Sequence, residues 1–121
     1  MSDTTSFNPA DLRQFTGSEH WYRHELVSSV LYTDGAKYVA DAAGAYWLLD
    51  EIALAQKFEK AVQGEEFQLW KLAVKDNAAT LTCEDGDGRA VFTKAIPFTD
   101  FPGDGVTFYV CNSVIHLPSE Y

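Results

Sequence analysis

The chain of 121 residues is long enough for one domain, and 46% of its residues are apolar, which supplies a hydrophobic core. Eighteen Asp and Glu residues against nine Lys and Arg residues give a formal net charge of −9. Phosphate backbones and anionic lipids repel such a chain, so we expect no direct binding to nucleic acid or membranes.

The N-terminal segment predicts a short helix after a polar start. Residues 1–7 are small and polar, and we expect a flexible tail there. Asn8, Pro9 and Asp11 suit the first turn of a helix, which Gly17 would end. The segment has neither the basic start nor the apolar run of a signal peptide, and the chain has no apolar run long enough to span a membrane. We therefore expect a cytoplasmic protein.

Strand-like residues lead into two predicted helices. Residues 20–33 alternate as strands do and end at Asp34-Gly35, which is typical of a turn. The Ala-rich residues 36–44 predict a short helix with a terminal glycine. Residues 45–63 predict the main helix, since apolar residues recur along one face of it. That stripe consists of Leu48, Leu49, Ile52, Ala55, Phe58 and Val62.

After Gly64 the apolar residues alternate with a period of two, which indicates strands. Five strand segments are predicted, at residues 67–76, 79–84, 89–98, 106–111 and 114–117. Their short connections favour antiparallel neighbours. We predict a single α+β domain over residues 1–121, with an antiparallel sheet of four to six strands. The 45–63 helix would pack on one face, short helices would precede it, and the 114–117 strand would lie at an edge.

The two cysteines favour a reducing compartment. Cys83 and Cys111 both lie in apolar, strand-like runs without a second Cys or His at metal-binding spacing. Buried free thiols are therefore the expected state. A disulfide is an alternative if the two strands are neighbours in the sheet.

The histidines are weak candidates for a metal site. His20 and His24 are four residues apart, which on a helix would place both rings on one face. The segment resembles a strand, however, and zinc would need a third ligand such as His116 or Asp34. We interpret the histidines as surface or structural residues and expect no metal and no cofactor.

Two Thr-Asp pairs follow aromatic residues at the ends of predicted strands, namely Thr33-Asp34 and Thr99-Asp100. Two carboxylates could perform acid–base chemistry if the fold brought them together. Caps that bond the following turn are the simpler interpretation, which we favour.

Aromatic residues supply candidates for a pocket or a partner surface. A small-molecule pocket between the helix and the sheet would lie near Trp47 and Trp70. The binding candidates from the sequence are Trp21, His24, Asp34, Trp47 and Asp100.

An ordered set of motifs covers nearly the whole chain. The motifs are FTGSEHWYRH (15–24), YTDGAKYVADAAGAYWLLDEIA (32–53), FQLWKL (67–72), CEDGDG (83–88), IPFTDFP (96–102) and VIHLPSE (114–120). The set resembles a family of small uncharacterised bacterial proteins, a domain of unknown function found in plasmids, phages and integrated elements. The resemblance implies a mobile-element accessory protein and carries no catalytic residues.

The charge distribution favours a binding function. Between Asp76 and Tyr121, seven acidic residues face two basic ones. We predict a non-enzymatic protein-binding module, monomeric or homodimeric, whose acidic surface meets a basic protein. The alternatives are a small-molecule-binding domain and a small metal-dependent enzyme that uses His20 and His24.

Overall fold

The computed structural model describes residues 20–120, so the predicted tail at 1–7 and the first predicted helix lie outside the described residues. The helices are α1 (Asp34–Ala43), α2 (Tyr46–Phe58) and α3 (Lys60–Gln63). The strands are β1 (Trp21–Arg23), β2 (Leu31–Thr33), β3 (Phe67–Lys75), β4 (Ala78–Glu84), β5 (Ala90–Ile96), β6 (Gly105–Cys111) and β7 (Val114–His116). A 3₁₀ turn, Pro118–Glu120, follows.

All seven strands form one mixed sheet in the order β1-β2-β7-β6-β3-β4-β5. The neighbours are antiparallel except β2 and β7, which are parallel. The prediction of an antiparallel sheet with four to six strands is therefore partly wrong. The β1–β2 hairpin pairs with the last strand of the chain, and alternation within a segment does not encode so distant a partner. Because β2 pairs with β7, β7 lies inside the sheet and not at an edge as predicted. The edges are β1 and β5.

The main helix is shorter than the predicted 45–63. It ends at Phe58, because Glu59 adopts an extended backbone (φ −102°, ψ 106°) before the single turn of α3. The break redirects the chain while Val62 in α3 stays fully buried. The apolar stripe thus reaches the core through two helices rather than one, except for Phe58, which is 66% exposed.

The predicted turn at Asp34-Gly35 is instead the first turn of α1. Thr33 caps this helix, since its Oγ1 accepts a hydrogen bond from Ala36 N at 3.3 Å. The Glu120 carboxylate accepts bonds from Gly35 N at 3.1 Å and Thr33 Oγ1 at 2.7 Å. A Cβ on residue 35 would lie 2.5 Å from Glu120 Oε1, so the glycine lets the Glu120 carboxylate approach the backbone closely. The predicted glycine end of this helix is confirmed at Gly44.

The core lies between the helices and one face of the sheet. Trp70 and Leu72 of β3 and Leu81 and Cys83 of β4 point into it, as their alternation predicts. Leu48, Leu49 and Ile52 of α2 cover them from the other side. No helix within residues 20–120 is long and apolar enough to cross a membrane.

Both cysteines are free thiols, and the strands that carry them are not neighbours. Cys83 lies on β4 and Cys111 on β6, with β3 between them, so the alternative of a disulfide is wrong. Burial, followed by the nearby Glu65 and Glu84 carboxylates, raises the pKa of the Cys83 thiol to about 12. Cys83 is therefore fully protonated, and unreactive, at neutral pH.

We expect a Cys111→Ser variant to resist labelling by a thiol reagent such as DTNB in the native state at pH 8. Its remaining thiol, Cys83, should react only after denaturation in guanidinium, when burial no longer raises its pKa. A free cysteine in the denaturant provides the reference rate. Native labelling at that reference rate would show that Cys83 is accessible and contradict the expectation.

Candidate functional site

A cleft of about 500 Å³ opens between the loop after β1, strand β2 and the first half of α2. Its lining combines two carboxylates, two tyrosines, two leucines and a histidine. These residues are His24, Glu25, Leu26, Tyr32, Tyr46, Leu49 and Asp50. Tyr46, Leu49 and Asp50 have helical i, i+3 and i+4 spacing, which places them on one side of α2.

His24 is 4% exposed and fixes the shape of the loop. Its Nδ1 accepts hydrogen bonds from the backbone N–H groups of Leu26 (3.1 Å) and Val27 (3.2 Å). An accepting Nδ1 carries no proton, so Nε2 carries it and donates to Asp50 Oδ1 at 2.8 Å. Both ring nitrogens are thus used, and His24 acts as a neutral positioning residue that ties the loop to α2.

The two tyrosines form neutral aromatic walls. Tyr32 stacks on Tyr22 with a centroid separation of 5.5 Å and an interplanar angle of 25°. Burial raises the pKa of Tyr32. Tyr46 donates its hydroxyl hydrogen to Asp41 Oδ1 at 2.5 Å, and this bond, helped by burial, raises the pKa of Tyr46 to about 12. Both phenols therefore stay uncharged over the physiological range.

The charge of the cleft is negative. Asp50 is 46% exposed, and its hydrogen-bond partner His24 is neutral, so its charge remains uncompensated. None of the ion pairs found among residues 20–120 includes Glu25. The nearby Asp41 is different, because Lys37 Nζ lies 2.7 Å from its carboxylate. Glu25 and Asp50 thus face the cleft without a lysine or arginine in its lining.

This combination of groups suits an organic cation. An ammonium or guanidinium group gains from carboxylate hydrogen bonds and from the faces of aromatic rings. Leu26, which is 61% exposed, offers apolar surface for the methylene stem of a lysine or arginine side chain. The site can therefore bind a basic side chain by charge, by aromatic contact and by apolar contact together.

Asp34, a candidate from the sequence, lies beside this cleft and not in its lining. Tyr22 donates its hydroxyl to Asp34 Oδ1 at 3.0 Å, and His20 Nδ1 lies 3.4 Å from Oδ2. Desolvation raises the pKa of Asp34, but these hydrogen bonds outweigh it and hold the pKa below its usual value. Asp34 thus joins the start of α1 to β1.

The remaining sequence candidates lie elsewhere. Trp21 is 58% exposed, and the alternation of β1 places it on the opposite sheet face from Tyr22. Trp47 is half-buried against the core. Trp70 is buried and packs on Phe92 at a centroid separation of 5.5 Å, so it is a core residue rather than a pocket wall.

Asp100 lies in the exposed β5–β6 loop, which contacts the β3–β4 turn through Thr99 N and Asn77 O at 2.8 Å. Asp34 instead begins α1 beside β1, so the structure does not bring the two carboxylates together. Thr99 Oγ1 accepts a hydrogen bond from Phe101 N at 3.1 Å. Together with the Thr33 cap, this bond confirms that the threonines of both Thr-Asp pairs cap the following turn.

The three histidines have separate partners. His20 is next to Asp34, His24 contacts Asp50, and His116 packs edge-on against Tyr109 with a centroid separation of 6.0 Å. Over the described range, no group of three or more His, Cys, Asp or Glu side chains is arranged to hold a metal ion.

Over residues 20–120 the protein is an α+β domain with a seven-stranded mixed sheet, three helices and an acidic cleft with aromatic walls. A family model described as a family of unknown function (DUF6876) matches residues 7–121. The chain belongs to this family. No curated protein and no solved structure matches the chain.

Proposed function

We propose that the protein is a non-enzymatic binding module whose acidic aromatic cleft accepts a lysine or arginine side chain from a basic segment of a partner protein. The observation that carries the proposal is that two carboxylates, Glu25 and Asp50, line the cleft beside two neutral tyrosine walls, and that its lining within residues 20–120 contains no lysine or arginine. A cation is the ligand class that gains from both features.

The surroundings of the cleft favour a protein partner. Glu25 and Leu26 form an exposed rim, and Leu26 presents apolar surface to solvent beside the charge. Such a mixture of an apolar contact and a charged contact is typical of protein interfaces. The net charge of −9 attracts a basic partner over a long range and accelerates its association.

The role of His24 supports binding rather than catalysis. A general base needs a ring nitrogen with a free lone pair, but Nδ1 of His24 already accepts two backbone hydrogen bonds. Its Nε2 hydrogen is directed at Asp50. The histidine therefore serves the architecture of the cleft, and the carboxylate that it positions serves recognition.

We further propose that the protein is an accessory protein of bacterial mobile elements that acts in the cytoplasm. The resemblance of the motif set to a family found in plasmids, phages and integrated elements supports the first part. The free thiols of Cys83 and Cys111 support the second, since the cytoplasm keeps thiols reduced.

A fluorescent arginine-rich peptide tests the proposal when compared with the same peptide in which citrulline replaces arginine. We expect Asp50→Asn to weaken arginine-peptide binding by about tenfold or more, the effect of losing one charge-assisted hydrogen bond. The asparagine oxygen can still accept the hydrogen bond from His24, so the cleft keeps its shape. Fluorescence anisotropy measures the dissociation constants.

Asp87→Asn is the matched control, because Asp87 is an exposed acid in the β4–β5 turn and its loss changes the net charge equally. We expect little change in the dissociation constant of the arginine peptide for this variant. For the wild type, we expect binding of the arginine peptide to weaken as ionic strength rises. Equal losses in Asp50→Asn and Asp87→Asn would contradict a specific site. Equal affinity for the citrulline peptide would contradict recognition of a cation.

A further inference from the structure

In the part of the chain that the structure describes, the longer of the two edge strands of the sheet is β5. It spans Ala90–Ile96 at one end of the strand order, whereas the opposite edge, β1, has only three residues. An edge strand presents unpaired N–H and C=O groups and is a template for a further strand. Proline, which blunts edges, occurs only after the strand, at Pro97.

The register of the sheet identifies which backbone groups of β5 face solvent. Asp76 and Asn77 both have positive φ (53° and 62°), so they form a two-residue hairpin turn that makes Lys75 and Ala78 a hydrogen-bonded pair. Hydrogen-bonded pairs then recur at every second residue. In β4, Ala78, Thr80, Thr82 and Glu84 therefore bond to β3.

The intervening β4 residues bond to β5. Leu81 pairs with Lys94 and Cys83 pairs with Phe92, so the backbone groups of Lys94 and Phe92 point inward to β4. The residue between them, Thr93, directs its N–H and C=O away from the sheet. Ala95 likewise directs its N–H and C=O away from the sheet, but a register shift at Cys83/Glu84 makes Val91 the extra residue of a β-bulge, so the alternation ends at Phe92.

We propose that a second copy of this chain pairs with β5 in an antiparallel manner, with a two-fold axis at Thr93. In this register Thr93 faces Thr93 of the second copy, and the bulge residue Val91 lies next to Ala95 of the second copy. The outward N–H and C=O groups of the two Thr93 residues then meet each other. The two sheets join into one continuous sheet.

The side chains fit this register. On the helix-side face, Phe92 lies opposite Lys94 of the second copy, which allows cation–π contact. On the other face, threonine lies opposite threonine, a favourable cross-strand pair. No like charges oppose each other. Lys94 Nζ lies 2.8 Å from Glu51 Oε2 of its own chain, so its charge is compensated and does not guard the edge.

A neighbouring groove adds apolar area to the same interface. It has a volume of about 420 Å³, and its lining includes Leu54, Phe58 and Phe92. Phe58 is 66% exposed although it belongs to the apolar stripe of the helices. Pairing of the two β5 strands brings both grooves to the junction, where the second copy covers Phe58.

A charge swap at Thr93 tests the interface, because this exposed residue faces its own counterpart across the axis. We expect the wild type and the control Thr93→Val to dimerise with a dissociation constant of about 10–100 μM, as suits a small interface. Thr93→Lys alone and Thr93→Glu alone should each weaken dimerisation at least tenfold through like-charge repulsion. An equimolar mixture of the two variants should restore association.

Analytical ultracentrifugation over a concentration series measures these equilibria, and circular dichroism checks that each variant is folded. A wild type that remains monomeric at about 0.5 mM would overturn the proposal. Single charge variants that dimerise like the wild type would overturn it as well.

Salt distinguishes this inference from the proposed function. Two copies with a net charge of −9 repel each other, so added salt should strengthen the dimer. Binding of the arginine peptide at the cleft should weaken under the same conditions. Either result can fail without the other, since the cleft lies beside β2 and the pairing surface lies at β5.

Discussion

Replacing Gly105 with alanine is expected to destabilise the protein by about 4 kcal/mol or more, which is at the upper end for a single substitution. Gly105 begins β6 and pairs with Ala73 of β3 at a φ of +121°. A Cβ at this position would lie 1.7 Å from the carbonyl oxygen of Leu72 and 2.8 Å from its carbonyl carbon. Because these are backbone atoms of a central strand, the clash can be relieved only by displacing β3 from β6.

The matched control is Gly103→Ala, two residues earlier in the same loop. Gly103 also has a positive φ (77°), but a Cβ there would meet nothing within 4 Å. Only the conformational cost of about 1–2 kcal/mol should appear. Urea denaturation gives the free energy of unfolding of both variants, and equal losses would contradict the close packing of β6 on β3.

Gln68→Leu is expected to cost about 3 kcal/mol, since the substitution leaves several buried polar groups without partners. Gln68 is 3% exposed on the core side of β3. Its Nε2 donates to the carbonyl oxygens of Val62 in α3 (3.1 Å) and of Glu65 just after α3 (3.1 Å). Its Oε1 accepts from Trp70 Nε1 at 2.8 Å and Gln56 Nε2 at 2.7 Å.

Gln63→Leu provides the comparison. Gln63 is exposed, and its Nε2 donates to the carbonyl oxygen of Lys57 at 2.7 Å. Water can replace that bond, so the loss should stay below about 0.5 kcal/mol. A Gln68→Leu variant as stable as Gln63→Leu would show that the buried amide network contributes little to the fold.

The parts of the fold that depend on local pattern could be predicted from the sequence. The alternation of β3 and β4 predicts the buried set Trp70, Leu72, Leu81 and Cys83, because a half-buried strand repeats every second residue. The short connection predicted at residues 77–78, which the structure places at residues 76–77, predicts their antiparallel pairing. Gln68 shares the buried face of β3, and the carbonyl groups of Val62 and Glu65, six and three residues earlier in the chain, explain why a polar residue lies there.

The parts that depend on distant contacts could not be predicted. The parallel pairing of β2 with β7 joins the two ends of the described chain, and no local pattern encodes it. In the sequence, Asp34-Gly35 resembles a turn because glycine readily adopts the positive φ that many turns require. The actual reason for the glycine is its contact with Glu120, which is 85 residues away in the chain.

The candidate site shows the same division. The sequence identified His24 but not its partner Asp50, because 26 residues separate them. Glu25 directly follows His24, and Tyr32 comes from a further point in the chain. The available signal was the spacing of Tyr46, Leu49 and Asp50, which predicts one side of a helix but not what faces it.

The chemical-shift map of the protein during titration with the arginine-rich peptide tests the central claim most directly. We expect saturable shifts of backbone amide resonances at residues 24–26, at Tyr32 and at residues 46–50, with little change for the citrulline peptide. Shifts centred on the acidic β3–β4 turn and the β5–β6 loop instead, or no saturable shifts at the cleft, would contradict recognition of a basic side chain there.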